Sequence, residues 1–179
     1  MTETEQATLG GGCYWCLEAI YKRVNGVSNV VSGYSGGHVD NPTAMQVYYE
    51  DTGHAECVQV TFDPSVITYR EILEIFYVMH NPTTLDQQDY DVGEIYRSVI
   101  FYHSPEQQKT AEEMTTGFAA ELWPDPIVTQ IVPFEKFWPA GPDAQDFYER
   151  NPNSGYCRVI IDPKIQKLRQ KFTGKLKPA

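Results

Sequence analysis

The stretch Gly10-Gly11-Gly12-Cys13-Tyr14-Trp15-Cys16-Leu17-Glu18 joins the first predicted strand of the chain, at residues 6–10, to its first predicted helix. The three glycines permit a tight turn between the two elements. The helix is predicted from about Cys13 to Val24, and Asn25-Gly26 would end it because both residues tolerate a left-handed C-cap. Cys13 would then lie at a helix N-terminus, where unpaired N–H groups and the helix dipole favour thiolate over thiol. This position indicates a nucleophile, although a buried and inert cysteine has the same local pattern.

The order of predicted elements indicates the fold. From residue 6 to residue 102 it is strand, helix, strand, strand, helix, strand, which is typical of the ferredoxin-like split βαβ unit. We therefore expect an α+β fold with a two-layer core of mixed sheet and helices, followed by a long irregular C-terminal segment at residues 133–156. The further predicted strands are residues 27–34, 55–62, 97–102, 127–132 and 158–161. The further predicted helices begin at Thr68, which forms a capping box with Glu71, at Ser104 and at Asp162.

Size and charge restrict the class of protein. A chain of 179 residues is expected to be one domain, residues 1–179. The net charge of −10 argues against a nucleic-acid or anionic membrane surface. The first residues are polar and acidic, unlike a signal peptide, and no apolar run approaches a membrane span. We expect a cytoplasmic protein, in which four cysteines are more often catalytic, metal-binding or inert than joined in structural disulfides.

The four cysteines leave two alternatives open. Cys13 and Cys16 form a Cys-x-x-Cys pair at a helix start, which is also found in general thiol–disulfide oxidoreductases, although Cys16 could simply pack in the core. His54 and Cys57 could join this pair in a structural Cys₃His zinc site.

Other candidate residues lie at the ends of strands. Glu56 begins the predicted strand at residues 55–62, where burial would raise its pKa and suit it to general-acid chemistry, while an exposed strand-end glutamate is the plain alternative. Asp91 and Tyr96 belong to a polar loop that leads into a strand and could supply a carboxylate and a hydroxyl to a pocket. Cys157 follows a segment rich in Pro, Asn and Gly, whose mobility suits a resolving thiol; it could equally open a short buried strand.

Several spaced motifs together resemble the peptide methionine sulfoxide reductase family, A type. The resemblance covers roughly residues 7–173. The motifs are Gly12-Cys13-Tyr14-Trp15, Ser32-Gly33-Tyr34-Ser35-Gly36-Gly37, Asn41-Pro42-Thr43, Gly53-His54-Ala55-Glu56, Pro82-Thr83-Thr84, Tyr96-Arg97-Ser98 and Gly155-Tyr156-Cys157.

This resemblance implies reduction of methionine-S-sulfoxide, free or in proteins, to methionine. Cys13 matches the nucleophile that becomes a sulfenic acid, and Cys157 matches the cysteine that resolves it as a disulfide. Glu56 matches the general acid. The resemblance also implies regeneration by thioredoxin or another dithiol, with no other cofactor and no metal, and a monomeric protein.

The remaining site residues follow from the same resemblance. Tyr96 matches a tyrosine that hydrogen-bonds the sulfoxide oxygen, and Asp91 matches an aspartate that helps to hold this oxygen through water. Tyr14 and Trp15 match the pocket for the methyl group of the substrate.

The chain departs from the family pattern in two places. Ala44 stands where the family usually has a tyrosine that gives the sulfoxide oxygen a second hydroxyl, and Tyr48 or Tyr49 are the nearby substitutes. The stretch Ala140-Gly141-Pro142-Asp143-Ala144-Gln145 lacks the usual Tyr and His, so that Ala144 stands at the His position. Cys16 and Cys57 are additional thiols and possible alternative resolving residues.

Overall fold

The computed structural model describes residues 3–178 and has an α+β architecture. Its six-stranded sheet has the order β7-β6-β1-β3-β2-β8, and β4 and β5 form a separate two-stranded hairpin. The strands are β1 (Glu5–Gly10), β2 (Val27–Ser35), β3 (Ala55–Phe62), β4 (Gln87–Gln88), β5 (Asp91–Val92), β6 (Val99–Tyr102), β7 (Gln130–Pro133) and β8 (Phe137–Pro139). The sheet is mixed, because β7 pairs parallel to β6 while the other neighbours are antiparallel.

The helices lie mainly against one face of this sheet. They are α1 (Tyr14–Tyr21), α2 (Ala44–Tyr49), α3 (Tyr69–Met79), α4 (Pro105–Met114), α5 (Ala120–Leu122), α6 (Phe147–Arg150) and α7 (Asp162–Lys171). Val58, Val60 and Phe62 of β3 face the main core together with residues of α1, α3 and α7. Ala55 and Cys57 face a smaller apolar cluster on the other side, because side chains alternate along a strand. No helix within residues 3–178 has the length and apolar content needed to cross a membrane.

Local signals in the sequence predicted most of these elements. The strand at Ala55–Phe62 is confirmed at both ends, and Thr68 and Glu71 form the predicted capping box, with the Glu71 N–H donating to the Thr68 hydroxyl at 3.1 Å. The helix from Ser104 to Leu122 is interrupted by a π-helical turn at Thr115–Ala119. The segment at residues 133–156 contains β8, a 3₁₀ turn and α6 and is otherwise irregular.

The strand predicted at residues 158–161 is wrong. Cys157–Ile161 is a π-helical turn that runs directly into α7. Its β-branched residues favour a strand locally, but strand preference depends on a partner strand and a half-buried surface. Here Ile161 instead packs into the helical core beside α7, so the packing overrides the local preference.

The sheet order brings β1 and β3 together and so positions the glycine turn that joins β1 to α1. β3 lies between β1 and β2, with Glu56 paired opposite Tyr34. A Cβ built on Gly10, at the end of β1, would come within 3.0 Å of the Glu56 carbonyl oxygen. The chain leaves β1 at this point and enters α1, so the start of α1 is next to Glu56.

Candidate active site

The glycine turn holds Cys13 against the β4–β5 hairpin. Gly12 has a φ of +91°, which favours glycine, and a Cβ there would come within 2.6 Å of the Gln88 side chain. Cys13 is the N-cap residue of α1 and has extended backbone geometry. Its side chain is buried, at 8% exposure. The predicted position of this thiol at a helix start is therefore confirmed.

Glu56 lies directly beside the nucleophile candidate. The backbone N–H of Tyr14 donates to Oε1 of Glu56 at 3.0 Å, which fixes the carboxyl group at the N-terminus of α1. The residue is 1% exposed, and burial raises its pKa to about 7 although this hydrogen bond acts in the opposite direction. A carboxyl group with this pKa carries a proton over part of the neutral range and can deliver it.

Four phenol groups surround this carboxyl. The hydroxyls of Tyr14 and Tyr34 are 3.0 Å apart and both side chains are buried, so they satisfy one another inside the core. Tyr48 belongs to α2, and its burial and the nearby Glu56 charge raise its pKa. Tyr96 ends a 3₁₀ turn. Its burial and, to a smaller extent, the nearby Glu56 charge raise its pKa, so that its hydroxyl keeps its proton. The site therefore holds neutral hydroxyl donors around one buried acid.

The Cys13 thiol at the N-cap of α1 and the Cys16 thiol in its first turn influence each other's pKa. Burial raises the pKa of Cys13 well above its ordinary value, and the hydrogen bond to Cys16 and the Glu56 charge act in the same direction. The hydrogen bond from Cys13 lowers the pKa of Cys16 to about 7, with a further contribution from the Lys164 ammonium group. The expectation that the helix start favours the Cys13 thiolate over the thiol is not met here, because burial outweighs the helix dipole. The pair shares a proton, with the negative charge favoured on Cys16.

Residues from the C-terminal part of the chain complete the surroundings of Cys16. The Tyr156 hydroxyl is 3.5 Å from the Cys16 Sγ and donates to Oδ2 of Asp91 at 2.9 Å. Nζ of Lys164 is 2.7 Å from Oδ2 of Asp89. Neither Tyr156 nor Lys164 was predicted as a site residue from the sequence. Tyr156 belongs to a motif quoted above, which could have indicated it, whereas no local signal distinguishes Lys164 from its basic neighbours.

Trp15 forms an aromatic wall next to the thiols. Its ring stacks on Phe147, with centroids 3.5 Å apart and planes at 4°, and it meets the Tyr156 ring edge-on at 5.6 Å. The residue is partly exposed, in contrast to Tyr14, which is 2% exposed. Trp15 can thus offer an apolar surface to a ligand, and Phe147 of α6 holds it in place.

The other two thiols are placed differently. Cys57 lies on the face of β3 opposite to Glu56, and burial raises its pKa to about 12. Cys157 is fully buried at the start of the π-helical turn, where its N–H donates to the Ser154 hydroxyl at 3.2 Å. All four cysteines are free thiols in this structure.

The predicted alternative of a Cys₃His zinc site is not assembled. Cys57 cannot join Cys13 and Cys16, since the sheet separates them. Both ring nitrogens of His54 are already engaged, Nδ1 by the Gly37 N–H at 3.0 Å and Nε2 by the Val39 carbonyl at 2.7 Å. Within residues 3–178 the acidic, histidine and cysteine side chains close enough to share a metal ion are Glu18, Asp146 and Glu149, of which Asp146 and Glu149 are paired with Lys22 and Arg23.

A buried pair of thiols beside a protonatable carboxyl and several hydroxyl donors defines a thiol-dependent oxidoreductase. Comparisons with known proteins agree. The family model described as peptide methionine sulfoxide reductase matches residues 5–176. The peptide methionine sulfoxide reductase MsrA of Sulfolobus acidocaldarius is 55% identical over 171 residues, which are 96% of this chain and 97% of that protein.

Solved structures show the same relationship. The structure of Mxr1 from Saccharomyces cerevisiae in reduced form matches with a TM-score of 0.75 and 31% identity, over 87% of this chain and 90% of that one. The structure of Mxr1 in complex with Trx2 matches with a TM-score of 0.52 and 27% identity, over 81% and 85% of the two chains. The chain belongs to the peptide methionine sulfoxide reductase family, and the family resemblance and the α+β fold predicted from the sequence are confirmed.

Proposed function

We propose that this enzyme reduces methionine-S-sulfoxide, free or in proteins, to methionine with Cys13 as nucleophile and Glu56 as general acid. The observation that carries this proposal is the 3.0 Å hydrogen bond from the Tyr14 N–H to Glu56, which holds a buried acid beside the thiol at the start of α1. A sulfoxide oxygen leaves poorly unless it is protonated, so the reaction needs both groups in one place.

The first step is a two-electron transfer from cysteine sulfur to methionine sulfur. Cys13 gives its proton to Cys16, whose charged form is favoured by the Cys13 thiol itself and, to a smaller extent, by Lys164 and Tyr156. The Cys13 thiolate then attacks the sulfoxide sulfur while Glu56 protonates the oxygen. As the sulfur–oxygen bond of the substrate breaks, the hydroxyl passes to Cys13, methionine leaves, and Cys13 becomes a sulfenic acid.

The surrounding side chains orient the sulfoxide. Tyr96, whose raised pKa keeps its hydroxyl protonated, donates to the oxygen. Asp91 acts from the hairpin through water and through Tyr156, with which it already shares a hydrogen bond. Tyr14 and Trp15 enclose the methyl group of the substrate, which fixes the epimer whose oxygen meets Glu56.

We propose that Cys16 resolves the sulfenic acid first. Cys16 follows Cys13 in the first turn of α1, and the Lys164 ammonium group and the Tyr156 hydroxyl both lower its pKa and so favour its thiolate. Attack of the Cys16 thiolate on the Cys13 sulfenic acid forms a disulfide, and the hydroxyl leaves as water with one proton. Cys157 remains the second resolving thiol, which would exchange with this disulfide after Tyr156 moves. Cys57 has no such route, because it lies across the sheet.

The enzyme needs a dithiol to return to its starting state. We propose thioredoxin or a similar dithiol protein, and no other cofactor. The structural match to Mxr1 in complex with Trx2 supports this choice. The dithiol transfers two electrons and two protons to the enzyme disulfide. This transfer restores both cysteine thiols and leaves the reductant as a disulfide.

We also infer that the core is a ferredoxin-like unit within a single domain. Its support is the antiparallel order β6-β1-β3-β2, in which β1, α1, β2, β3, α3 and β6 follow one another in the expected β-α-β-β-α-β sequence. β7 and β8 extend this sheet at its two edges.

One experiment tests the function and the order of the thiols. A Cys13→Ser variant should reduce no methionine sulfoxide, and its full activity would overturn the proposal. After a single turnover without reductant, peptide mapping should find a Cys13–Cys16 disulfide in the wild type. Cys157→Ser should give the same product, whereas a bond exclusively to Cys157 would contradict the assignment of Cys16. Reduction of insulin without sulfoxide activity would instead favour a general thiol–disulfide oxidoreductase.

A further inference from the structure

Glu18 is a buried carboxyl group that the proposed mechanism does not use. It lies in the middle of α1 and is 1% exposed, and neither of its carboxyl oxygens has a hydrogen-bond partner within residues 3–178. Lys22, one turn further along the chain, directs its ammonium group to Oδ1 of Asp146 instead. A buried carboxylate is costly unless it is paired or coordinates a metal ion, so the position of Glu18 favours a bound cation.

Two further carboxylates converge on this buried group from α6. Carboxylate oxygens of Glu18, Asp146 and Glu149 all lie within 4.8 Å of one another. Asp146 is the N-cap residue of α6, and Glu149 lies within that helix. Both are exposed, so the cluster can be reached from their side. It therefore joins one buried acid of α1 to two accessible acids of α6.

A cavity beside the cluster gives a small ion access to the buried acid. It has a volume of about 570 Å³, and its lining includes Glu18, Asp146 and residues 29–31 of β2. Gln145 fastens the adjoining segment to β2, because its side chain donates to the Ser32 carbonyl at 2.8 Å and accepts from the Ser32 N–H at 3.0 Å. The backbone next to Asp146 is thus held in place at the cavity.

The spacing of the three oxygens fits Ca²⁺. This ion binds oxygen ligands at about 2.3–2.6 Å and accepts irregular sets of about six to eight of them, including water. Oxygens on opposite sides of Ca²⁺ are then up to about 5 Å apart, which accommodates carboxylates that lie within 4.8 Å of one another. Mg²⁺ requires nearly octahedral ligands at about 2.0–2.1 Å and gives up its water reluctantly, while softer metal ions prefer nitrogen or sulfur ligands.

We propose that Glu18, Asp146 and Glu149 form a Ca²⁺ site that ties α6 to α1. The ion is structural and takes no part in sulfoxide reduction, so the proposal does not depend on the function proposed above.

Two basic side chains now compete for this cluster. The ammonium group of Lys22 pairs with Asp146, and Arg23 donates to Oε1 of Glu149 at 3.1 Å. Both pairs are partly exposed, and such pairs contribute little to stability, so Ca²⁺ can replace them at little cost. Glu18 has no such competitor at its oxygens within residues 3–178 and gains the most from the ion.

Isothermal titration of the full chain with CaCl₂, after removal of metals with EDTA, tests the site. The measurement is made at pH 8, where Glu18 is ionised, since burial raises its pKa to about 7. The wild type should bind one Ca²⁺ per chain with a Kd of about 10⁻⁴ M, and Ca²⁺ should raise its melting temperature. Glu18→Gln should weaken binding at least about tenfold, because the site loses its buried charge. Lys22→Met should bind Ca²⁺ more tightly, since the competing ammonium group is gone.

Asp143→Asn provides the matched control. Asp143 is exposed, lies outside the cluster and changes the net charge by the same amount, so this variant should stay within about twofold of the wild type. Glu149→Gln, at the exposed side of the cluster, should also weaken binding and replaces Glu18→Gln if that variant does not fold.

Four results would each overturn the proposal. They are the absence of saturable Ca²⁺ binding in the wild type, wild-type binding by the cluster variants, a loss in Asp143→Asn as large as theirs, and Mg²⁺ binding as tight as that of Ca²⁺. None of these results bears on sulfoxide reduction, which the activity of Cys13→Ser tests separately.

Discussion

Replacement of Glu56 by Gln should make the protein more stable and at the same time a poorer catalyst. Burial raises the pKa of Glu56 from its ordinary value of 4.5 to about 7. The folded protein therefore holds this proton more tightly than the unfolded chain does. The stability that follows is fully present below pH 4.5 and is lost as the pH rises through 7. The difference between the ordinary pKa of 4.5 and the raised pKa of about 7 corresponds to about 3 kcal/mol, at about 1.36 kcal/mol per pKa unit.

Glutamine is neutral at every pH, and its side-chain oxygen can still accept the Tyr14 N–H. The Glu56→Gln variant should thus match the wild type near pH 4.5 and exceed it at pH 8 by up to about 3 kcal/mol in the free energy of unfolding. Urea denaturation at the two pH values measures this difference. The variant should also lose a factor of about 10² to 10⁴ in the rate of sulfoxide reduction, which is the usual contribution of a general acid.

Glu18 provides the matched control. It is 1% exposed, neither carboxyl oxygen has a hydrogen-bond partner within residues 3–178, and burial raises its pKa to about 7. Glu18→Gln should show a similar gain in stability at pH 8 while it retains wild-type activity, because its side chain does not contact Cys13. The reasoning is refuted if the difference in the free energy of unfolding between Glu56→Gln and the wild type is the same at both pH values. It is also refuted if Glu56→Gln reduces sulfoxide at the wild-type rate.

Three further outcomes follow from other contacts. Lys164→Met should raise the pKa of Cys16 and slow its alkylation by iodoacetamide at pH 7 several-fold, measured by mass spectrometry of the labelled peptide, whereas Lys171→Met should not. Phe147→Ala removes the partner stacked on Trp15 and should cost about 2 kcal/mol in urea denaturation, together with a higher KM for methionine sulfoxide; an unchanged KM would contradict a substrate-facing Trp15. Gly12→Ala places a Cβ at positive φ and should cost about 1–3 kcal/mol with a loss of activity, and an unaltered melting temperature would count against the strain argument.

Elements set by local patterns could be predicted from the sequence. The Thr68–Glu71 capping box and the alternation along Ala55–Phe62 depend on neighbours within one element, and the structure confirms both. The strand expected at residues 158–161 failed because its β-branched residues have no partner strand, and the packing of the segment against other helices decides its form.

The site shows the same division between local and distant information. Cys13 at a helix start is a local feature and was predicted, and the acid role of Glu56 was suggested by its place at the start of a strand. The balance of charge between the thiols was not predictable. Besides the mutual effect of the two thiols, it depends on their burial and on Lys164 and Tyr156, which reach Cys16 only after the C-terminal part of the chain has packed.

Because Cys57 lies across the sheet from Glu56, the rate at which its thiol is labelled measures how often the sheet opens. Its sulfur is enclosed between β-strands, and a pKa of about 12 leaves almost no thiolate at neutral pH. A thiol-directed label can therefore reach Cys57 only when the sheet itself opens. Cys13 is 8% exposed at the start of α1, so a smaller local opening admits the label there. The labelling rates of Cys13 and Cys57, followed in one sample under native conditions, distinguish local opening at the start of α1 from rare opening of the sheet.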